Sequence, residues 1–151
     1  TDELKTDKEE DADELFQQHI EAQCKRLRIL GFTGTPIIRG NLNAMDKSLL
    51  PSLQTVCTEI LNNIAKHGKP GAFAFILSVG PDAVRIFASN LYNAAINSAP
   101  ENHYGTALIQ DFAQQHNGTM TINSENEEWS LSLTIPLAHQ VKLMFSPTEK
   151  L

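Results

Sequence analysis

The chain has little that would tie it to a membrane, a nucleic acid or an oxidising compartment. No stretch approaches the roughly 18 consecutive apolar residues of a membrane-spanning helix. The start, TDELKTDKEEDADEL, is acidic where a secretory signal would be basic and then apolar. Twelve lysines and arginines are spread thinly against eighteen acidic residues, for a net charge of −6. That leaves no basic stripe to neutralise a phosphate backbone, and nucleic acid is not an expected partner. The two cysteines, Cys24 and Cys57, each fall within a helical pattern and have no partner at a metal-ligand spacing. They are expected to be reduced, buried or half-buried thiols of a cytosolic protein. No fixed-period repeat is present. The 151 residues are enough for one domain that buries roughly two-thirds of its unfolded surface.

What is present is an ordered change of period. Leu15, Phe16, Ile20, Cys24, Leu27 and Leu30 recur at three- and four-residue steps, which predicts a helix from about Asp13 to Leu30 with Gly31 as its cap. Residues 1–12, too polar to bury, are expected to be a disordered leader or the cut edge of a longer protein. FTGTPIIRG reads as a short edge strand, because Pro36 cannot donate to a ladder. After NLNAMDKS a second helix is predicted from Leu49 or Leu50 to His67, with Pro51 in its first turn and Gly68 beyond its end. GAFAFILSV and AVRIFASN, separated by Gly80-Pro81-Asp82, read as a hairpin. TMTINSE and WSLSLTIPL, joined by Asn126-Glu127 and ended by Pro136, read as a second. Between the hairpins, Leu91 to Tyr104 reads as a loop. Ala107 to Gln115 reads as a third helix with Leu108 and Phe112 inward, closed by Asn117-Gly118. Residues 13–137 therefore make the predicted domain and 138–151 a tail. Two hairpins exclude a purely parallel sheet. The expected fold class is α/β (α+β), a two-layer sandwich whose mixed, mostly antiparallel sheet carries about three helices on one face.

The second helix carries more than an apolar face. At 100° per residue Leu53, Cys57, Ile60, Leu61 and Ile64 form one buried stripe. With Glu59 at zero, Asn63 falls about 40° to one side, Lys66 about 20° to the other and His67 at about 80°. The four make a polar strip beside the stripe, where a ligand could lie against the helix with one wall dry. The same residue types also suit a plain solvated face, with a Glu–Asn pair one turn apart and a lysine near the negative end of the helix dipole.

The segment E-I-L-N-N-I-A-K-H-G resembles the motif E-x-L-x-N-x-x-K/R-H of sensor histidine kinases. These belong to the GHKL ATPase superfamily, together with gyrase-type and mismatch-repair ATPases, and the likeness is to the nitrate-sensor-like class. The family's strand ending in D-x-G-x-G falls on V-R-I-F-A-S-N-L-Y-N-A. Its G-x-G-L helix start, with a G-G-x-hydrophobic-x-hydrophobic ending, falls on G-T-A-L-I-Q-D-F-A-Q-Q-H-N-G-T-M-T-I. A last strand ending in I-P-L and the lead G-F-T-G-T-P-I-I also agree, so the resemblance runs in order from about Leu15 to Leu137.

The resemblance implies an ATP and Mg²⁺ site. Asn63 would be the metal ligand against the nucleotide phosphates, a carboxamide oxygen being a suitable hard donor. Glu59 would be the catalytic group, accepting a proton or orienting a water or the incoming nucleophile. Lys66 and His67 would face phosphate. Asn90 stands where the family places an aspartate that accepts a hydrogen bond from the adenine amine. Gly105, Thr106, Ala107 and Leu108 would present backbone N–H groups to the phosphates at a helix start. Leu91 to Tyr104 would be the lid, here without glycine. Tyr92 and Ala94 replace glycines of the first glycine motif and Ala107 one of the second. Wherever those backbones need positive φ, each replacement costs about 1–2 kcal/mol. None of the five histidines precedes Asp or Glu as the family's phosphoacceptor does.

The resemblance thus implies the catalytic part of a larger, homodimeric cytoplasmic kinase or the cytoplasmic part of a membrane-bound one. Its partners would be its own dimerisation and phosphoacceptor domain and a response regulator, with no membrane contact of its own. Two alternatives share the fold: a degenerate docking or regulatory module, and an anti-sigma-type serine kinase.

Overall fold

The protein is described by a computed structural model that covers residues 2–92 and 106–137. Its elements are α1 (Asp2–Ile29), β1 (Pro36–Gly40), a 3₁₀ turn (Leu42–Ala44), α2 (Leu49–His67), β2 (Gly68–Val79), β3 (Ala83–Tyr92), α3 (Thr106–Gln115), β4 (Thr119–Glu125) and β5 (Glu128–Pro136). The five strands make one sheet in the order β1-β2-β3-β5-β4. Only β1 and β2 are parallel, linked by the α2 crossover, and every other pair is antiparallel. Pro36 therefore stands on an edge strand, where its missing N–H costs no ladder bond.

Strict alternation divides the two faces of the sheet. Phe73, Phe75, Leu77 and Val79 of β2, Val84, Ile86 and Ala88 of β3, and Trp129, Leu131, Leu133 and Ile135 of β5 are all buried on one face. All three helices contribute to the core on that face: Phe16, Ile20, Cys24 and Leu27 from α1, the predicted stripe of α2, and Ile109, Phe112 and Ala113 from α3. This is the two-layer mixed sandwich expected.

The turns show why the elements end where they do. Gly31, at φ +102°, takes the left-handed position after α1, where its N–H donates to Arg28 O and that of Phe32 to Leu27 O. Asn117, at φ 58°, does the same after α3, and the Gly118 N–H donates to Ala113 O at 2.7 Å. Asn126 and Glu127 both have positive φ, which makes the β4–β5 connection a two-residue turn whose twist matches its strands.

Three expectations need correction. The first helix, expected from about Asp13, begins at Asp2, so the polar residues 2–12 belong to α1. The run contains no Gly or Pro and is rich in charged residues, so nothing in it stops a docked helix from propagating toward the N-terminus. On α3 it is Ile109, not Leu108, that points inward, because Ile109, Phe112 and Ala113 form the i, i+3, i+4 stripe and leave Leu108 43% exposed. The supposed polar turn after β1 also anchors the core, with Leu42 and Met45 both buried.

Candidate functional site

Among the described residues only two polar side chains are fully buried, Asn63 (2% exposed) and Asn90 (3%). Both were singled out as site residues by the resemblance. Asn90 is the inward residue of β3 that follows Ala88, and register sets it between Phe73 on β2 and Trp129 on β5. Its Nδ2 donates to Leu91 O at 2.6 Å. Its Oδ1 is buried and has no hydrogen-bond partner among the described residues. Such an acceptor costs about 1–3 kcal/mol to leave unmet.

Gly68 brings this carboxamide under the end of α2. The residue closes the helix, its N–H donating to Ile64 O. A Cβ there would collide with Asn90 Nδ2 and the Ile64 carbonyl oxygen. The β2–β3 register shifts between Gly68 and Phe73, so the strands part beside Asn90. Gly68 had been read only as a helix stop, and its part in the site leaves no local signal beyond the H-G pair.

Along α2, Glu59 is half-buried, Lys66 exposed and His67 half-buried. Asn63 is more deeply buried than the strip predicted. It leans toward the side of Val56, which packs into the core at about the same angle. Ser52, Thr55 and Val56 lie within about 60° of Glu59 on the helix wheel, so they extend the same face toward the N-terminus. There they wall one side of a groove of about 480 Å³ whose other side is Leu108, Asp111, Phe112 and Gln115 of α3. Thr106 is half-buried and Ala107 exposed in the first turn of α3. Gly105 and the lid from Asn93 to Tyr104 lie outside the described residues. By helical angle Glu59 and Asn63 fall on the side of α2 that carries Ser52 and Thr55, but neither lines that groove, and Asn90 lies at the far end of the helix. A larger groove of about 600 Å³, lined by Asp13, Glu14, Gln17, Gln18, Glu21, Pro36 and Ile38, contains none of the predicted residues.

The replaced glycines carry no backbone strain where they can be seen. Among described non-glycine residues only Asn117, Asn126 and Glu127 have positive φ. Tyr92 is the buried last residue of β3, its N–H donating to Glu127 O at 2.9 Å, and Ala107 is helical. Ala94 lies outside the described residues.

The thiols are sealed on the opposite side of α2. Cys24 and Cys57 are both free and buried. Burial, and secondarily the Glu21 carboxylate, pushes the Cys24 thiol up to about 11, and burial raises that of Cys57 further. Nearby, Thr58 Oγ1 donates to Gln54 O and so accepts from His19 Nε2 at 2.7 Å, tying α1 to α2. No helix among the described residues is long and apolar enough to cross a membrane.

No protein-family model matches the chain, and no curated protein matches it in sequence. Solved structures do. The nucleotide-free catalytic domain of histidine kinase ThkA superposes with a TM-score of 0.61 over 83% of this chain and 93% of that one, at 12% identity. The fold is that of a histidine kinase catalytic domain. The same fold lies within two longer kinases, AdeS of Acinetobacter baumannii and the blue-light-activated EL346 of Erythrobacter litoralis. AdeS gives a TM-score of 0.59 at 10% identity, with 85% of this chain and 64% of that one matched. EL346 gives 0.57 at 11%, with 80% and 41% matched. Histidine kinase catalytic domains therefore share this layout of sheet and helices at sequence identities too low to carry over any residue's role.

Proposed function

We propose that the chain is the ATP-binding catalytic domain of a two-component sensor histidine kinase, which hands the γ-phosphoryl group of Mg-ATP to a histidine on a separate dimerisation domain. The observation that carries the reading is the buried Oδ1 of Asn90, an acceptor without a partner among the described residues, at the end of the helix that buries Asn63. An exocyclic amine such as that of adenine would supply the missing donor. Phe73 and Trp129 on the flanking strands are the apolar surroundings a base requires.

In this reading Asn63 gives its carboxamide oxygen to Mg²⁺. Among the described residues no cluster of three His, Cys, Asp or Glu could hold a metal by itself, so phosphate oxygens and water would complete the shell. The ion would neutralise charge on the transferring phosphoryl group. The chain's own part is positioning. The first-turn amides of α3 hold phosphate, Lys66 and His67 add positive charge and donors, and Glu59 takes the proton of the attacking imidazole or orients it as the bond to ADP breaks. A response regulator would receive the phosphoryl group next. Such a domain works in the cytoplasm, within a homodimer.

The test is nucleotide titration of the full chain with and without Mg²⁺, beside Asn63→Ala and Asn90→Ala. Expected are micromolar to millimolar binding that Mg²⁺ strengthens, loss of that strengthening in Asn63→Ala, and at least about tenfold weaker binding of adenine nucleotides in Asn90→Ala. Absence of binding at millimolar nucleotide would sink the reading and leave a docking module of the same fold. Adding an isolated phosphoacceptor hairpin to the loaded protein then distinguishes histidine from serine as acceptor.

A further inference from the structure

The sheet ends on β1, and no strand among the described residues pairs with its outer edge. The phase of that edge follows from one bridge. Thr33 donates its N–H to Gly71 O and accepts from the Phe73 N–H, both at 2.8 Å, and the parallel register keeps one offset from Thr33 opposite Ala72 to Gly40 opposite Val79. Odd-numbered residues of this stretch therefore turn their backbone groups toward β2, and even-numbered ones turn theirs outward. Arg28 Nη1 donates to the first outward carbonyl, Gly34 O, at 2.9 Å. Pro36 has no N–H to offer. The outward groups at the centre of the strand are thus Pro36 O and the N–H and C=O of Ile38. The side chains alternate as well: Ile38 packs against the core on the helix side, while Ile37 is 42% exposed on the opposite face.

The groove of about 600 Å³ runs along this edge on the helix side, between Pro36 and Ile38 of β1 and the acidic flank of α1. Asp13, Glu14 and Glu21 line it, and no basic side chain does. Glu21 is paired with Arg28, whereas Asp13 and Glu14 accept from the neutral amides of Gln17 and Gln18 and keep their charge.

We infer that this edge takes an extended segment of a partner protein as a sixth strand, one whose residues alternate between basic and apolar. In a paired strand the residue opposite Ile38 points to the helix side, where a lysine or arginine lays its stem along Ile38 and extends its head toward Asp13 and Glu14. The residue opposite Ile37 points to the open face, where an apolar side chain lengthens the row formed by Ile37, Ile76 of β2 and Phe87 of β3. Backbone bonds to Ile38 supply affinity, and the two unlike faces supply the sequence preference. A second copy of β1 is a poor occupant. It would set Pro36 and Ile38 where basic residues are needed and bring two acidic grooves side by side. The groove holds no residue of the proposed nucleotide site, so the inference stands apart from that reading.

The probe is a labelled, end-blocked peptide of four alternating lysine-valine pairs, added to the full chain at about 0.15 M salt beside a block peptide of the same composition, lysines first and valines after. In fluorescence anisotropy the alternating peptide binds at least about tenfold tighter than the block peptide, and hydrogen exchange at the Ile38 amide slows at least about tenfold when it is bound. Ile38→Pro, which removes the outward N–H and no bond to β2, weakens the alternating peptide about tenfold or more. Asp13→Lys/Glu14→Lys, two changes on the flank of a helix, reverses the preference, so that an alternating glutamate-valine peptide binds better than the lysine one. Equal binding of the two lysine peptides would reduce the attraction to net charge and overturn the inference. Unchanged exchange at Ile38, or an unaltered preference in the double variant, would overturn it as well.

Discussion

The helix α2 buries two kinds of side chain in two different ways. Against α1 it seals Cys57 near Cys24, and toward its C-terminal end it buries Asn63 and abuts Asn90. A thiol behaves as a small hydrophobe and costs almost nothing to bury. A carboxamide costs about 1–3 kcal/mol wherever a donor or acceptor goes unmet. The thiol end is thus explained by packing alone, whereas the Asn90 Oδ1 is a stability cost that packing does not explain. Core residues that look alike in burial separate once hydrogen-bond satisfaction is counted, and only the carboxamide end points to a ligand.

The comparison breaks if the thiol end is not a true core. Ile60→Ala, which removes a fully buried side chain from the sealed stripe, should cost about 2–5 kcal/mol in urea unfolding without altering which nucleotides bind. A cost near zero would mean that the helix is not packed as described. The thiols give the next largest effect. Their folded-state values lie above the ordinary 9.0, Cys24 at about 11 and Cys57 higher, so the folded protein keeps its protons while the unfolded chain loses them. Stability from these groups is therefore complete below pH 9 and falls above it by about 1.4 kcal/mol per pH unit for each thiol, the Cys24 share levelling off above about pH 11. Unfolding free energies of the parent and of Cys24→Ala/Cys57→Ala, measured from pH 8 to pH 10.5, should diverge only above pH 9. Parallel curves would mean that the thiols ionise in the fold as they do in the unfolded chain.

Periodicity made the framework legible. Strand alternation, the α2 stripe, Pro36 at an edge and Asn126-Glu127 at a tight turn are all local rules obeyed locally. The same reasoning put Leu108 inside, because one apolar residue at the right spacing looks like another until the stripe of Ile109, Phe112 and Ala113 is set against the sheet. It also starts α1 at Asp13, where the apolar periodicity begins, whereas the helix begins at Asp2, in a run with no apolar period to mark it. At the site, Glu59, Asn63 and Lys66 could be placed on one face by angle alone. The depth of Asn63 and the contact between Gly68 and Asn90 could not, since both depend on how the end of α2 meets β2 and β3. That the Asn90 oxygen has no partner among the described residues is a property of three strands and a helix together, and no pattern in one segment announces it.

The carboxamide end is sharpened by charge. Asn90→Asp replaces a neutral acceptor by one whose hydrogen bond to an amine is stronger by about 1 kcal/mol, so adenine nucleotides should bind roughly fivefold tighter at neutral pH. The ligand-free protein should lose stability at the same time, because the new carboxylate is buried without a partner charge. Tighter binding without that loss would mean that the position is more open to water than its 3% exposure indicates. The smallest effect belongs to Lys66, whose side chain is exposed. Lys66→Ala should weaken nucleotide binding by no more than about threefold at low salt, and the difference should vanish above about 0.3 M salt as screening removes the attraction. Since Lys66 lies about 60° from Asn63 on the helix, a salt-dependent effect there together with a salt-independent one at Asn90 would resolve the bound nucleotide's two ends, phosphate beside the last turn of α2 and base beneath it. Equal salt dependence at both positions would show instead that the buried carboxamide senses only the net charge of the ligand.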